Sequence, residues 1–247
     1  MNHPLYFISD LHFHLENSPA DREKLRLLTG FFDEIKRKRG ILFIVGDLFD
    51  FWFEYKFVIP KDYFQVLTLL KSLTEAGIEV HYFAGNHDYW IDDFFRNELA
   101  IRFHPDPIAY TASGKSFWIC HGDGVLQEDR GYRILKSILR SPVAISLFRW
   151  IHPDLGFTIA KHVSSTSRRL NPSEFQKNRR LLGKVYQEYV IDRFREEYHY
   201  VIMGHIHQPH IHTRDGHTFI SLGDWMRHYS FGYFDGERMT LNYWRNS

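Results

Sequence analysis

Asp10 and His12, Asp47, Asn86, His121, and His205 and His207 are oxygen and nitrogen donors of the kind that hold divalent cations, and each stands at or just past the end of a short apolar run. The runs are Leu5-Tyr6-Phe7-Ile8 before Ser9-Asp10, Ile41-Leu42-Phe43-Ile44-Val45 before Gly46-Asp47, and Val80-His81-Tyr82-Phe83-Ala84 before Gly85-Asn86. Ser116-Phe117-Trp118-Ile119-Cys120 leads to His121, and Tyr200-Val201-Ile202-Met203 leads to Gly204-His205. Imidazole and carboxylate without thiolate suit zinc, manganese or iron, and seven candidates from separate runs point to two ions rather than one. Asp47 has the carboxylate to bridge them. Two ions roughly 3.5–4 Å apart hold a hydroxide, neutralise a phosphoryl oxygen and stabilise both oxygens of an in-line displacement. The chemistry implied is hydrolysis of a phosphoester or a pyrophosphate. If the backbone stays extended past the strands, Asp10 and His12 point to one side, as do His205 and His207, so each pair offers two donors to one place.

The elements that would position these residues follow from the same runs. Each is the length of a buried strand bounded by a turn signal, and open α/β sheets gather ligands beyond the carboxyl ends of their strands. Helical periodicity fills Arg22 to Lys38 and Lys61 to Glu75, the second closing at Gly77 as a helix C-terminus does. The start of the chain therefore reads strand-helix-strand-helix-strand. After Gly204, alternating runs are split by Asp215-Gly216 and Asp235-Gly236, which are hairpin signals. Between 129 and about 195 lie several helices, with breaks near Ser141-Pro142, Pro153 and Asn171-Pro172. The expectation is one mixed α/β (α+β) domain over 1–247 with a helical insertion at about 129–195.

Composition sets the bounds. Hydrophobic residues at 44% and aromatics at 17% supply a large core, and the single Cys120 excludes an internal disulfide framework and a zinc site of paired thiolates. A reducing compartment fits. The amino terminus lacks a charged segment followed by a long apolar one, and no stretch reaches the ~18 apolar residues of a spanning helix, so a cytoplasmic protein is expected. The net charge of +1 argues against a generic nucleic-acid binder, yet Arg130 to Lys184 carries twelve Lys/Arg against Asp154 and Glu174 alone. That basic stretch is either a solvated helical face, a cap over an acidic cation site, or a surface facing anionic lipid. The cluster Phe49, Phe51, Trp52, Phe53, Tyr55 and Phe57 reads as core or as an apolar mouth suited to acyl chains.

Asp10-Leu11-His12, Gly46-Asp47-Leu48-Phe49-Asp50, Gly85-Asn86-His87-Asp88, His121-Gly122-Asp123 and Gly204-His205-Ile206-His207, in this order, resemble the signature of calcineurin-like metallophosphoesterases. The resemblance implies an αββα sandwich of two mixed sheets flanked by helices. It also implies that Asp10, His12, Asp47 and His207 bind one ion, and Asp47, Asn86, His121 and His205 the second. His87 would act near the leaving group as an acid or phosphate contact, oriented by Asp88, with Asp123 standing behind the ligands. Gly46 through Trp52, the stretch Asp129-Arg130-Gly131-Tyr132 and the helical insertion more closely resemble the UDP-2,3-diacylglucosamine pyrophosphatases of lipid A synthesis. In that family the insertion is a lid over acyl chains and nucleotide. Asn86, His87, Asp129 and Tyr132 then become substrate-binding residues, manganese the expected ion (zinc or iron the alternatives), and the cytoplasmic face of the inner membrane the expected place, with peripheral contact to anionic lipid. No nucleic acid and no obligate protein partner are expected. The best-known members carry arginine where this chain has His87. The alternative is a metallophosphoesterase acting on a soluble nucleotide, phosphodiester or phosphoprotein.

Overall fold

All five apolar runs are strands in the computed structural model, which describes residues 3–15, 18–159 and 174–244. They are β1 (Leu5–Ile8), β2 (Ile41–Ile44), β3 (Val80–Phe83), β6 (Lys115–Cys120) and β7 (Tyr200–Met203). With β4 (Arg102–His104), β5 (Ile108–Ala112), β8 (His210–Arg214), β9 (His217–Ser221), β10 (Ser230–Phe234) and β11 (Met239–Tyr243) they form two mixed sheets. The strand orders are β11-β10-β1-β2-β3-β4 and β5-β6-β7-β9-β8, with β1 to β4 parallel and β6, β7 and β9 parallel. Parallel strands covered on both faces read as continuous apolar runs rather than alternating ones, which is why the sequence located them.

Between the sheets lie Phe7, Phe43, Phe83, Phe117, Ile202, Ile220 and Phe234. On the outer face of the first sheet pack α1 (Pro19–Lys38) and α2 (Phe64–Glu75), the right length to return the chain between parallel neighbours. Ser18 caps α1, accepting from the Asp21 N–H while the Asp21 carboxylate accepts from Ser18, and Pro19 fits the first turn. Gly77, at φ +79°, ends α2 in the left-handed conformation. The arrangement is the expected αββα sandwich. Asp215-Gly216 forms a two-residue hairpin with both residues at positive φ, and so does Ser113-Gly114, which carries the same chemistry less obviously.

The helical stretch expected as one insertion at 129–195 divides in two. The first part, α4 (Arg130–Leu139), α5 (Pro142–Arg149) and the helical run 153–159 (α6), stands on the rim of the sandwich. The second, α7 (Glu174–Val185), a π turn at Tyr186–Val190 and α8 (Ile191–Arg195), lies on the second sheet, where Leu182, Val185 and Val190 pack with Val201, Met203 and Phe219. That second part is therefore the outer layer of the sandwich. Apolar periodicity alone does not separate a helix covering a sheet from a helix standing proud. The expected break at Ser141-Pro142 falls between α4 and α5, with Ser141 capping α5, while Asn171-Pro172 lies outside the described residues. Among the described residues, no helix is long and apolar enough to cross a membrane.

Phe117 is fully buried and touches rings from both sheets, Phe7, Tyr200 and Phe234, at centroid distances of 4.8–6.2 Å. Phe117→Ala is expected to cost about 3–5 kcal/mol, read as a lowered urea midpoint. A change under about 1 kcal/mol would show that the sheets do not depend on this contact.

Candidate metal centre

The parallel strands deliver their ends to one rim, where two loops are zipped together. The Asp10 N–H donates to the Gly46 carbonyl, Leu11 and His12 donate to Asp47, and Phe13 donates to Leu48, all at 2.9–3.1 Å. Beyond the strands the backbone does not stay extended. Asp10, His12, Asp47, His205 and His207 all sit at positive φ, between 47° and 67°. Left-handed turns, rather than the alternation of a pleat, aim the paired donors, at a conformational cost of order 1–3 kcal/mol per residue. Approach is close enough that a Cβ on Gly46 would collide with the His121 ring and one on Gly85 with the Asp47 carboxylate.

Short donor-to-donor distances link all seven expected ligands, His205 through Asn86. Asp10 Oδ1 lies 3.1 Å from His207 Nε2, which lies 3.4 Å from His12 Nε2. Asp47 Oδ2 is 3.6 Å from His12 Nε2 and 3.4 Å from His121 Nε2, so this one oxygen belongs to both halves of the centre. Asn86 Oδ1 stands 3.1 Å from His121 Nε2 and 2.9 Å from His205 Nδ1. Donors held roughly 2.1 Å from a common ion are spaced by such distances. Asp10 Oδ1 is a buried carboxylate oxygen that faces imidazole nitrogens without a well-directed hydrogen bond, as a cation ligand would. The groups Asp10, His12, His207 and Asp10, Asp47, His121 each bring their ligand atoms within 4.8 Å of one another, and so do His12, Asp47 and His87. The residues fit a pair of divalent cations.

Charge explains why they must. Asp10 is 0% and Asp47 1% exposed. Burial pushes both carboxyls toward protonation, yet His207 and His12 beside Asp10, and His121 and His87 beside Asp47, hold them well below the usual range. Against the same burial, Asp10 and Asp50 raise His12 to about 10, and Asp47 raises His121 to about 10. His205 goes the other way, to about 4, through burial and the neighbouring His121. The His121 Nδ1–H donates to the Val45 carbonyl, which fixes the ring with Nε2 toward the centre.

His87 donates from Nδ1 to the Asp50 carbonyl at 2.9 Å, leaving Nε2 as its free nitrogen, with the ring edge-on to His12. Asp88, expected to orient His87, does something else. Its buried carboxylate accepts from the N–H groups of Asp47, Leu48, Phe49 and Gly85 and from the Tyr82 hydroxyl, so it shapes the two turns that carry Asp47 and Asn86. The correction has a simple cause: Asp88 follows His87 in a tight turn, and adjacent side chains point apart. Asp123 stands behind His121, accepting from Tyr132 and paired with Lys136, and so fastens α4 to the end of β6. Asp129 accepts from the Leu126 N–H and shapes the turn before α4.

Sequence reasoning missed Asp50 and Lys24. Asp50 Oδ1 lies 3.3 Å from His12 Nδ1, and its place in the Gly46–Asp50 block was the available signal. Lys24 is 2% exposed, donates to the Leu11 and His12 carbonyls at 2.7 and 2.8 Å and pairs with Asp21, which also holds His14. Its signal was a lysine on the apolar stripe Lys24, Leu27, Leu28, Phe31, Phe32, Ile35 of α1. From that position the first turns of α1 clamp the backbone of the His12 loop.

A two-sheet sandwich with this histidine–aspartate rim defines a metal-dependent phosphoesterase. The chain belongs to the calcineurin-like phosphoesterase family, which its residues 3–209 match. Among curated relatives, a UDP-2,3-diacylglucosamine hydrolase of Porphyromonas gingivalis is 30% identical over 98% of this chain and 97% of its own. Proteins of that name from Haemophilus influenzae and Yersinia pestis are 29% and 31% identical, over 91% and 84% of this chain and 92% and 83% of theirs.

Two expectations follow. Because His12 and His121 bind protons more tightly folded than unfolded, their stabilisation of the chelated protein is full below about pH 6.5 and is lost as pH rises through about 10. Cations must displace those protons, so titrating chelated protein with Mn2+ near pH 7 in weak buffer should release about two protons per chain, and metal affinity should climb with pH. A titration without proton release would refute the charge assignment. Lys24→Met removes the buried cation that joins Asp21 to the Leu11 and His12 carbonyls and should cost about 3–5 kcal/mol in urea melts; an unchanged midpoint would show that the clamp carries no stability.

Proposed function

We propose that this chain is a two-metal hydrolase that cleaves the pyrophosphate of UDP-2,3-diacylglucosamine to UMP and 2,3-diacylglucosamine 1-phosphate. The observation that carries the substrate is the rim insertion. Phe148 packs on Phe53 and Trp90 at 4.5 and 4.9 Å, and Phe157 on Phe51 and Tyr55, so the aromatic block divides. Phe49 and Trp52 enter the core, whereas Phe51, Phe53 and Tyr55 meet the insertion. Outward, the same helices expose Ile134, Ile138, Val143, Leu147 and Trp150, the last at 88%, and the aromatic block exposes Phe57 at 86%. Exposed apolar side chains among Arg130, Arg133, Lys136, Arg140 and Arg149 suit acyl chains and an anionic lipid surface. The names of the curated relatives, matched over nearly their whole length, support the same substrate.

On this reading Asp10, His12, Asp47 and His207 hold one ion and Asp47, Asn86, His121 and His205 the other, with manganese the native metal and zinc or iron the alternatives. Bound divalent ions supply Lewis acidity toward the phosphoryl oxygens and lower the pKa of attacking water. Water adds to the α-phosphorus, the bond to the bridging oxygen breaks, and that oxygen leaves with the sugar phosphate. His87, tied through Nδ1 to the Asp50 carbonyl, has Nε2 to hold or move a proton at the leaving oxygen. Asn86 and His87 meet the phosphates, and Asp129 and Tyr132 meet the substrate from the α4 side. The enzyme would work peripherally on the cytoplasmic face of the inner membrane.

Hydrolysis should be lost on chelation, restored by Mn2+, and reduced at least about 10³-fold by Asp47→Ala. Release of UMP should require the acyl chains. Equal turnover of an unacylated UDP-sugar would keep the chemistry and remove the lipid substrate.

A further inference from the structure

A cavity of about 630 Å3, in the range of small-molecule sites, lies between α7 and the edge strand β8, away from the rim insertion. In the second sheet the order is β5-β6-β7-β9-β8: α4 is fastened at the end of β6, His205 and His207 leave β7, and the cavity lies on the opposite flank at β8. Gln208, which lines it, is the residue after His207. Because β8 runs antiparallel to β9, the cavity begins at the metal rim with His210 and follows the edge for roughly 13 Å to Arg214.

Its walls mix polar and apolar groups. Arg179 and Arg214 contribute guanidinium groups, Gln208 an amide, His210 and His212 imidazoles, and Tyr186 a ring edge-on to His212 at 4.9 Å. Burial first, and then His212 and Arg179 close by, keep the His210 imidazole below its ordinary value. Beside the apolar walls of Leu182, Pro209 and Phe219, the cations, the amide and the imidazoles offer an aromatic face for a planar base and donors for its carbonyls and for ribose, with Arg214 also paired to Asp215. Two features of the helix point the same way. Gly183 sits inside α7, where glycine costs about 1 kcal/mol against alanine, and the space beside it is open toward the cavity. Tyr186 begins a π turn, a helix irregularity concentrated at functional sites.

We propose that this cavity is the nucleoside subsite, taking the uridine end of the substrate on the β8 flank while the acylated sugar lies on the insertion flank, the scissile pyrophosphate spanning the centre between them. Naming uridine rests on the proposed substrate. The cavity's preference for a nucleoside rests on its own lining.

The test uses the full chain loaded with Mn2+ and calorimetric titration of UMP, with inorganic phosphate as reference. Gly183→Leu, which fills the cavity from the helix side, and Arg179→Ala should each weaken UMP about tenfold or more relative to phosphate. KM for UDP-2,3-diacylglucosamine should rise in parallel with little change in kcat. Unchanged UMP affinity in both variants, in an enzyme that cleaves the substrate, would overturn the cavity assignment and leave the activity standing. Equal weakening of UMP and phosphate would also overturn it, since the disturbance would then lie at the metals. A wild-type protein that cleaves no UDP-2,3-diacylglucosamine, yet loses UMP on these substitutions, would sink the substrate reading and uphold the nucleoside site.

Discussion

Two carboxylates out of reach of water, Asp10 and Asp47, are the constraint around which the rest of this molecule is arranged. An isolated buried carboxylate is untenable, so positive charge must be brought to it and held there. Imidazoles perform that task within the chain, and divalent cations held by the same residues would add two positive charges each. The left-handed turns at five donor residues, the absent side chains at Gly46 and Gly85, and the five donors converging on Asp88 are all consequences of packing this much charge into one rim. Each is locally unfavourable or restrictive, and each is tolerated because the alternative is an unpaired buried charge.

The sandwich makes such crowding affordable in conformational terms. Parallel strands end together, so a rim assembled from five of them draws donors from positions 10 to 207 without long loops crossing the core. Rigidity then comes from behind. Trp225 donates its N–H to the Asp10 carbonyl, and Lys24 reaches the Leu11 and His12 carbonyls from α1. The site is thus backed by the first helix and by the segment before β10, elements that carry no metal-binding chemistry themselves. Selection on the site would reach residues far from it in sequence for this reason.

What the sequence made legible was what local pattern encodes. The five strands were visible as apolar runs, the end of α2 as a glycine cap, and the donors as polar residues just past each strand, whereas the Ser18 cap that starts α1 at Pro19 was not read. What it hid was direction. Asp10 and His12 were expected to share a side through an extended backbone; they do converge, but through left-handed turns that no propensity at aspartate or histidine demands. Asp88 was placed on His87 by adjacency, whereas its partners at 47–49 are brought near only by the fold. The boundary between the rim helices and the α7–α8 layer was likewise invisible, since Leu182 and Val185 differ from Ile134 and Ile138 only in what they meet.

Position 87 bears on where the substrate's charge is met. An arginine there, as in the best-known pyrophosphatases that this chain resembles, supplies a permanent charge and five donors. His87 has one nitrogen committed to the Asp50 carbonyl, so it can offer a single atom to a phosphate. The nearby cations are also engaged: Arg140 donates to the Gly85 and Pro105 carbonyls and lies over the Tyr89 ring, and Lys136 is paired with Asp123. Among the described residues, then, bound divalent ions would carry more of the charge on the phosphoryl oxygens, and the proposed substrate would be held chiefly at its two ends. On the proposed reading those two grips differ in kind, one apolar at the rim helices and one partly polar at β8, with the single free nitrogen of His87 between them among the described residues.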